Sequence, residues 1–244
     1  MIRLLHLYYD LLNLYGENAN SRCIVRSLEL NNIKVKVDLK SLNDKIDFND
    51  YDIIYIGSGS EDNLLLANED ILKRKKELEH FINDDKFLIL TGNSMDLFGK
   101  YIEVNDEKIK SLSIFDYYTK FINESTFKNA SSDRIVGEIK ATSELIKEPI
   151  IGFQNRCDVN YDIKTPLFKT EEKYSNDLTN KDEGFTFKNV YATHIIGPLL
   201  IRNPYFTDYI LKKLCDSKKL KYDISDEVSI KAYKKYLNND MNPI

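Results

Sequence analysis

Two short runs set the terms for this chain. Ile53-Ile54-Tyr55-Ile56, entered from Asp52, and Phe87-Leu88-Ile89-Leu90-Thr91 are apolar nearly throughout, and each breaks at once into a glycine turn. A strand with polar residues on neither side is buried on both faces, which is the habit of parallel sheets covered by helices. The flanking segments supply those helices. Asn20 to Leu30 carries Cys23, Ile24, Leu28 and Leu30 at mostly helical spacing, with Asn31-Asn32 as a stop, and Asp62 to Phe81 reads as one long charge-laced helix. Arg3 to Tyr8 reads as a first strand, and Ile33 to Val37 alternates with the period of a half-exposed one. Strand and helix in alternation predict an α/β fold, an open and mostly parallel sheet with helices on both faces.

The second half is less regular. Short β-like runs occur at Tyr101-Ile102-Glu103-Val104 and Ile135-Val136-Gly137-Glu138-Ile139, Thr165 to Glu183 is polar and reads as a surface excursion, and Val190 to Leu200 regains strand character. Pro204 to Cys215 and Asp226 to Leu237 read as the final helices. No repeat is visible. At roughly 150 residues per domain, 244 residues fit a single domain spanning 1–244. A net charge of −4 offers no basic field for nucleic acid. No apolar run nears the ~20 residues of a membrane span, and the N-terminus turns polar at Tyr8-Tyr9-Asp10, too early for a signal peptide. Cys23, Cys157 and Cys215 lie far apart, as reduced thiols would in a cytoplasmic protein.

Ligands of such sheets bind beyond the carboxyl ends of the strands. Gly57-Ser58-Gly59-Ser60-Glu61 offers backbone N–H groups to an anion, or serves merely as a strand-to-helix turn; its spacing is neither a Rossmann nor a Walker fingerprint. Leu90-Thr91-Gly92-Asn93-Ser94-Met95 has the strand–turn–helix form of a nucleophile elbow, yet Gly92 carries nothing that reacts. Ser94 half-matches a G-x-S-x-G serine motif, but Asp96 stands at the second glycine and no base is placed beside it. Of the three histidines, His80 falls in a charged helix, His6 reads as a structural residue of the first strand, and His194 alone ends a strand where a ligand would lie. Dispersed histidines without a cysteine cluster give no metal site and no cofactor.

The residues then line up with a family. Leu7-Tyr8-Tyr9-Asp10-Leu11-Leu12-Asn13-Leu14-Tyr15-Gly16, Ile56 to Asp62, Leu90 to Gly99, Asp133-Arg134-Ile135-Val136-Gly137, Ile151 to Asn155, Glu183-Gly184, Lys188-Asn189, and Thr193 to Leu200 with Asn203 form one colinear series. It resembles class I glutamine amidotransferases of the cobyric-acid-synthase-like type, most of all those serving lipid II isoglutaminyl synthases in cell-wall peptidoglycan amidation. The resemblance implies a flavodoxin-like sheet, and glutamine hydrolysis by an elbow cysteine and a late histidine. The ammonia would pass to a Mur-ligase-like partner. The family's Cys-Gly-Gly-Tyr-Gln-x-x-Gly, counted back from Gly99, sets Gly92 at the cysteine, and its Thr-Tyr-Leu-His-Gly-Pro sets Ile196 at the histidine. Its Gly-Gly-Gly oxyanion loop is here Gly57-Ser58-Gly59, and its Glu-Asn-His is Gln154-Asn155-Arg156. Arg134 is retained where the family anchors the glutamine α-carboxylate.

Gly92 cannot attack an amide and Ile196 cannot move a proton. His194, two residues earlier, would share a strand face with Ile196 and so approach the site. The expectation is therefore a degenerate amidotransferase without intact catalytic residues, with Ser58, Gly59, Asn93 and Arg134 as residual pocket, acting as a binding or scaffold partner of a Mur-ligase-like subunit. Two alternatives stand beside it: an active amidotransferase, of isoglutaminyl or cobyric acid type, using other residues, and a sensor holding glutamine or a small carboxylate on Arg134. Tyr205-Phe206-Thr207-Asp208-Tyr209 is the candidate contact patch, with Phe206 assigned to the core.

Overall fold

The computed structural model describes residues 1–122 and 134–238. The first half alternates as the pattern predicts: β1 (Ile2–Leu7), α1 (Asn18–Leu30), β2 (Val35–Lys40), β3 (Ile53–Ile56), α2 (Glu61–Ile71), α3 (Lys75–Asn83) and β4 (Phe87–Thr91). The helix expected over 62–81 is two helices. A 3-10 turn at Leu72–Arg74 divides them, held by Arg74 on the Asp70 carboxylate (3.4 Å) and the Asp44 carbonyl (2.7 Å). After β4 the chain makes a further 3-10 helix, Gly92–Phe98. Then follow β5 (Tyr101–Val104), β6 (Glu107–Lys110), β7 (Tyr118–Phe121), β8 (Ile135–Ala141), β9 (Ile150–Arg156), β10 (Asp158–Tyr161), β11 (Phe168–Lys169), β12 (Asp182–Glu183), β13 (Phe185–Phe187) and β14 (Val190–Thr193). Helices α4 (Leu199–Arg202), α5 (Pro204–Ser217) and α6 (Glu227–Asn238) end the described chain.

The main sheet has six strands in the order β13-β14-β4-β3-β1-β2, parallel except for the edge strand β13. Alternate residues of the buried strands divide between two cores. Leu5, Leu7, Ile54, Ile56, Leu88 and Leu90 pack toward α2 and α3. Ile2, Leu4, Ile53, Tyr55, Phe87 and Ile89 pack toward α1 and α5. After β2 the chain crosses over β1 to reach β3, so order reverses there, and the carboxyl ends of the parallel neighbours β3, β4 and β14 lie along one edge of the sheet. A second sheet, β10-β7-β5-β6, and the β8–β9 hairpin are built from the β-like runs of the second half.

The segment 165–183 is the expected surface excursion only in part: Glu171, Glu172 and Lys173 and Thr179, Asn180 and Lys181 are exposed, whereas the β11–β12 pair carries Phe168 and Glu183 into the core, both fully buried. The polar groups it brings in arrive with partners: Asn176 takes the Gly184 N–H at 2.7 Å and donates to the Gly184 carbonyl at 2.9 Å. In the tyrosine-rich stretch Phe206 is core, against Phe168 and Tyr191. Tyr205 leans on Tyr233 and Tyr209 on Tyr191, so both are half-committed inside.

Candidate active site

The β4 run ends in a turn with Gly92 at φ +62°, the left-handed region that an elbow requires and that glycine enters without strain. A Cβ built on Gly92 would stand 2.3 Å from Ser58 Oγ, 2.4 Å from Ser58 Cβ and 3.2 Å from Ile196 Cγ2. The space into which an elbow side chain would project is thus filled, from β3's loop by Ser58 and from the late loop by Ile196. Ile196 is held there by paired backbone bonds with Phe153 (3.2 and 2.9 Å).

The other expected pocket residues serve the fold. Asn93 Oδ1 accepts from the Gly59 N–H (3.1 Å) and Ser58 Oγ (3.2 Å), while its Nδ2 donates to the Gly59 carbonyl (2.9 Å). The amide that could steady an oxyanion is therefore engaged inside the protein. Ser94 Oγ has its single hydrogen within reach of the carbonyls of Ile56 (3.1 Å) and Thr91 (2.9 Å), fully buried and with no base among these contacts. Arg134 reaches Glu61 Oε1 at 2.7 Å, Asn155 Oδ1 at 2.7 Å and the Asn155 carbonyl at 3.3 Å. Glu61 occupies the guanidinium where an incoming carboxylate would bind, and Cys157 Sγ sits on the same Oε1 at 2.9 Å. Burial raises Glu61, but the bonds from Cys157 and Arg134 outweigh it and hold the carboxyl below its ordinary value. Burial pushes the Cys157 and Cys23 thiols up, Cys23 to about 12, so neither offers a thiolate. Asp133, next to Arg134 in the sequence, lies outside the described residues.

His194 does not approach Gly92. β14 stops at Thr193, so the two-residue offset no longer keeps His194 and Ile196 on one face. The ring turns into a polar cluster with Nε2 at 2.6 Å from Asn160 Oδ1 and Nδ1 at 3.2 Å from Glu183 Oε1. Asp96, Asp158, Glu183 and Arg156 complete that cluster, all at most 3% exposed. Burial holds the His194 ring well below its usual value and pushes Glu183 up to about 7, so a proton shared by the two rests on Glu183 and the ring stays neutral. Asp96, Asp158 and His194 place possible metal-ligand atoms within 4.8 Å of one another. Both His194 ring nitrogens are already in hydrogen bonds, and Arg156 Nη1 lies 3.4 Å from Asp158 Oδ1. Asp96 Oδ2 is buried with no partner among the described residues, but a cation there would have to displace both sets of bonds.

Sequence reasoning missed Glu17. Its carboxylate is fully buried beneath the elbow and accepts from Tyr55 OH (2.9 Å), Asn20 Nδ2 (3.1 Å), the Gly197 N–H (3.3 Å) and Thr91 Oγ1. One side chain ties the β1–α1 loop, β3, β4 and the late loop together. Burial raises its pKa against those four bonds. The signal was present as Gly16-Glu17 with Asn20 three residues on, just past the end of the recognised opening block.

With this geometry in hand, comparison with known proteins is informative. The sequence pattern of the CobB/CobQ-like glutamine amidotransferase domain matches residues 3–204. Subunit GatD of lipid II isoglutaminyl synthase (glutamine-hydrolyzing) from Staphylococcus aureus is 31% identical over 231 residues, covering 93% of this chain and 91% of that protein. Its counterpart from Streptococcus pneumoniae is 27% identical over 243 residues, covering 98% and 88%. Among solved structures, a glutamine amidotransferase from Thermotoga maritima superposes with a TM-score of 0.50 over 96% of this chain and 92% of its own, at 10% identity, which speaks to the fold alone.

Proposed function

Since the chain belongs to the CobB/CobQ-like glutamine amidotransferase family, we propose that it is a non-hydrolysing member acting as the docking or scaffold partner of a Mur-ligase-like subunit. The carrying observation is the elbow: Gly92 has no side chain, and Ser58 and Ile196 occupy the volume a nucleophile would need. Glutamine hydrolysis requires a thiolate on the amide carbon, a base beside it and free oxyanion donors. The elbow offers no nucleophile, Ile196 stands where the base belongs, and Asn93 takes up the Gly59 N–H. A small carboxylate on Arg134 would first have to displace Glu61, which weighs against the sensor reading.

The docking half of the proposal draws on the relatives, which are named as subunits of a synthase. A fold that is intact and tightly packed around a filled pocket is what selection for a protein surface leaves behind. Tyr205 and Tyr209, half-buried on α5, remain the candidate contact residues. Light scattering of the chain mixed with the Mur-ligase-like protein of its own source tests this directly. The expected result is a stable complex at tens of micromolar; two independent monomers would overturn it.

A further inference from the structure

Away from the elbow, α1 and the β1–β2 edge of the sheet border an open-sided cavity of about 410 Å³ whose lining includes none of Gly92, Ser58, Ile196 or Arg134. That volume falls within the roughly 300–1,000 Å³ of small-molecule sites. The floor is His6, 1% exposed. Ser21 Oγ donates to the Asn18 carbonyl (2.9 Å), so it accepts from His6 Nδ1–H at 3.1 Å. That assignment leaves Nε2 as a bare lone pair, and Nε2 is buried without a partner among the described residues. Asn18 also lines the cavity, and its Oδ1 is a second buried acceptor without a partner among the described residues. Two unmatched acceptors on residues of one cavity are costly unless something donates to them. The His6 ring is held in place edge-on to Tyr55 (5.0 Å), and burial keeps it neutral, with its pKa down to about 4.

The remaining walls narrow the ligand. Val25, Val37 and Leu39 supply an apolar side, the latter two as partly exposed residues of the edge strand β2. Two arginines stand along α1. Arg26 is committed to Asp226 at 2.7 Å, whereas Arg22 makes no ion pair among the described residues; Glu29, two turns beyond Arg22 on the same helix, adds one carboxylate to the lining. Acceptors, a guanidinium and an apolar wall in one cavity match a group that donates, a carboxylate and a hydrocarbon side chain.

We propose that this cavity binds a small apolar α-amino acid, its ammonium group donating to His6 Nε2 and Asn18 Oδ1, its carboxylate on Arg22 and its side chain against Val37 and Leu39. The site differs from the inherited glutamine pocket in face, residues and preferred side chain. A water cluster would satisfy the two acceptors but would use neither Arg22 nor the apolar wall.

The test is calorimetric titration of the full chain with L-leucine at millimolar concentrations, alongside 4-methylpentanoate, isoamylamine and L-glutamine. Leucine should bind and raise the melting temperature, and loss of the amine or of the carboxylate should each weaken binding by more than about tenfold. Arg22→Gln, an exposed change that leaves the fold intact, should weaken leucine by a similar factor, and Leu39→Glu should abolish binding. No heat and no thermal shift with leucine would overturn the proposal. So would equal binding by Arg22→Gln, or leucine and glutamine binding alike.

Discussion

Placing a cysteine at the elbow, by Gly92→Cys, measures how completely the site has closed. Two costs are set by the structure. At φ +62° a Cβ strains against its own backbone, about 1–2 kcal/mol. The same Cβ falls 2.3–2.4 Å from two atoms of Ser58, and forcing such an overlap into a packed core costs about 1–3 kcal/mol. Together that is about 2–5 kcal/mol, or a fall in melting temperature of roughly 4–20 °C for a chain of this size. Ser58→Gly deletes both clashing atoms, so Gly92→Cys/Ser58→Gly should recover the second cost and keep the first. A double-mutant cycle by urea denaturation therefore predicts a favourable coupling of about 1–3 kcal/mol between the two changes. A Gly92→Cys protein as stable as the parent, or a coupling near zero, would refute the claim that Ser58 fills the nucleophile's space.

Other consequences are as direct. Burial depresses the His6 ring from 6.5 to about 4, so the unfolded chain binds more protons between those values and stability is lost as pH falls from 6.5 toward 4. His6→Gln should reduce that acid loss by about 3 kcal/mol, read as the change in urea midpoint between pH 7 and pH 4; an unchanged profile would show that the ring titrates normally. Arg156→Leu strands Asp158 and Glu183 in the core and should cost about 3–5 kcal/mol or prevent folding, and Asp158→Asn in the same chain should return part of it. Glutamine and succinate should leave the melting temperature of the parent unchanged because Glu61 holds Arg134; a shift abolished by Arg134→Ala would restore the sensor reading.

Much of the fold is legible because the runs at Ile53–Ile56 and Phe87–Thr91 have no polar face to turn outward, which leaves a parallel central position as their only good one. The elbow was legible too, since a strand ending in glycine before a helix has few other geometries. The filling of the pocket was not. Nothing in the local sequence of Ser58 says that its side chain points at Gly92, thirty-odd residues on. The buried cluster was hidden for the same reason, being assembled from Asp96, Arg156, Asp158, Glu183 and His194 on separate elements. The polarity of 165–183 misled over its buried part because composition reports on average exposure, whereas Asn176 and Glu183 enter the core with each polar atom already matched. His6 was placed correctly as a strand residue, but only half of its ring is satisfied.

The account rests most heavily on the absence of glutamine chemistry at Gly92. Ammonia release from glutamine, measured on the chain together with its Mur-ligase-like partner against a heat-killed control, tests that directly. The account predicts release indistinguishable from the control and no covalent labelling by a glutamine-mimicking electrophile. Release above the control that such an electrophile blocks would contradict it.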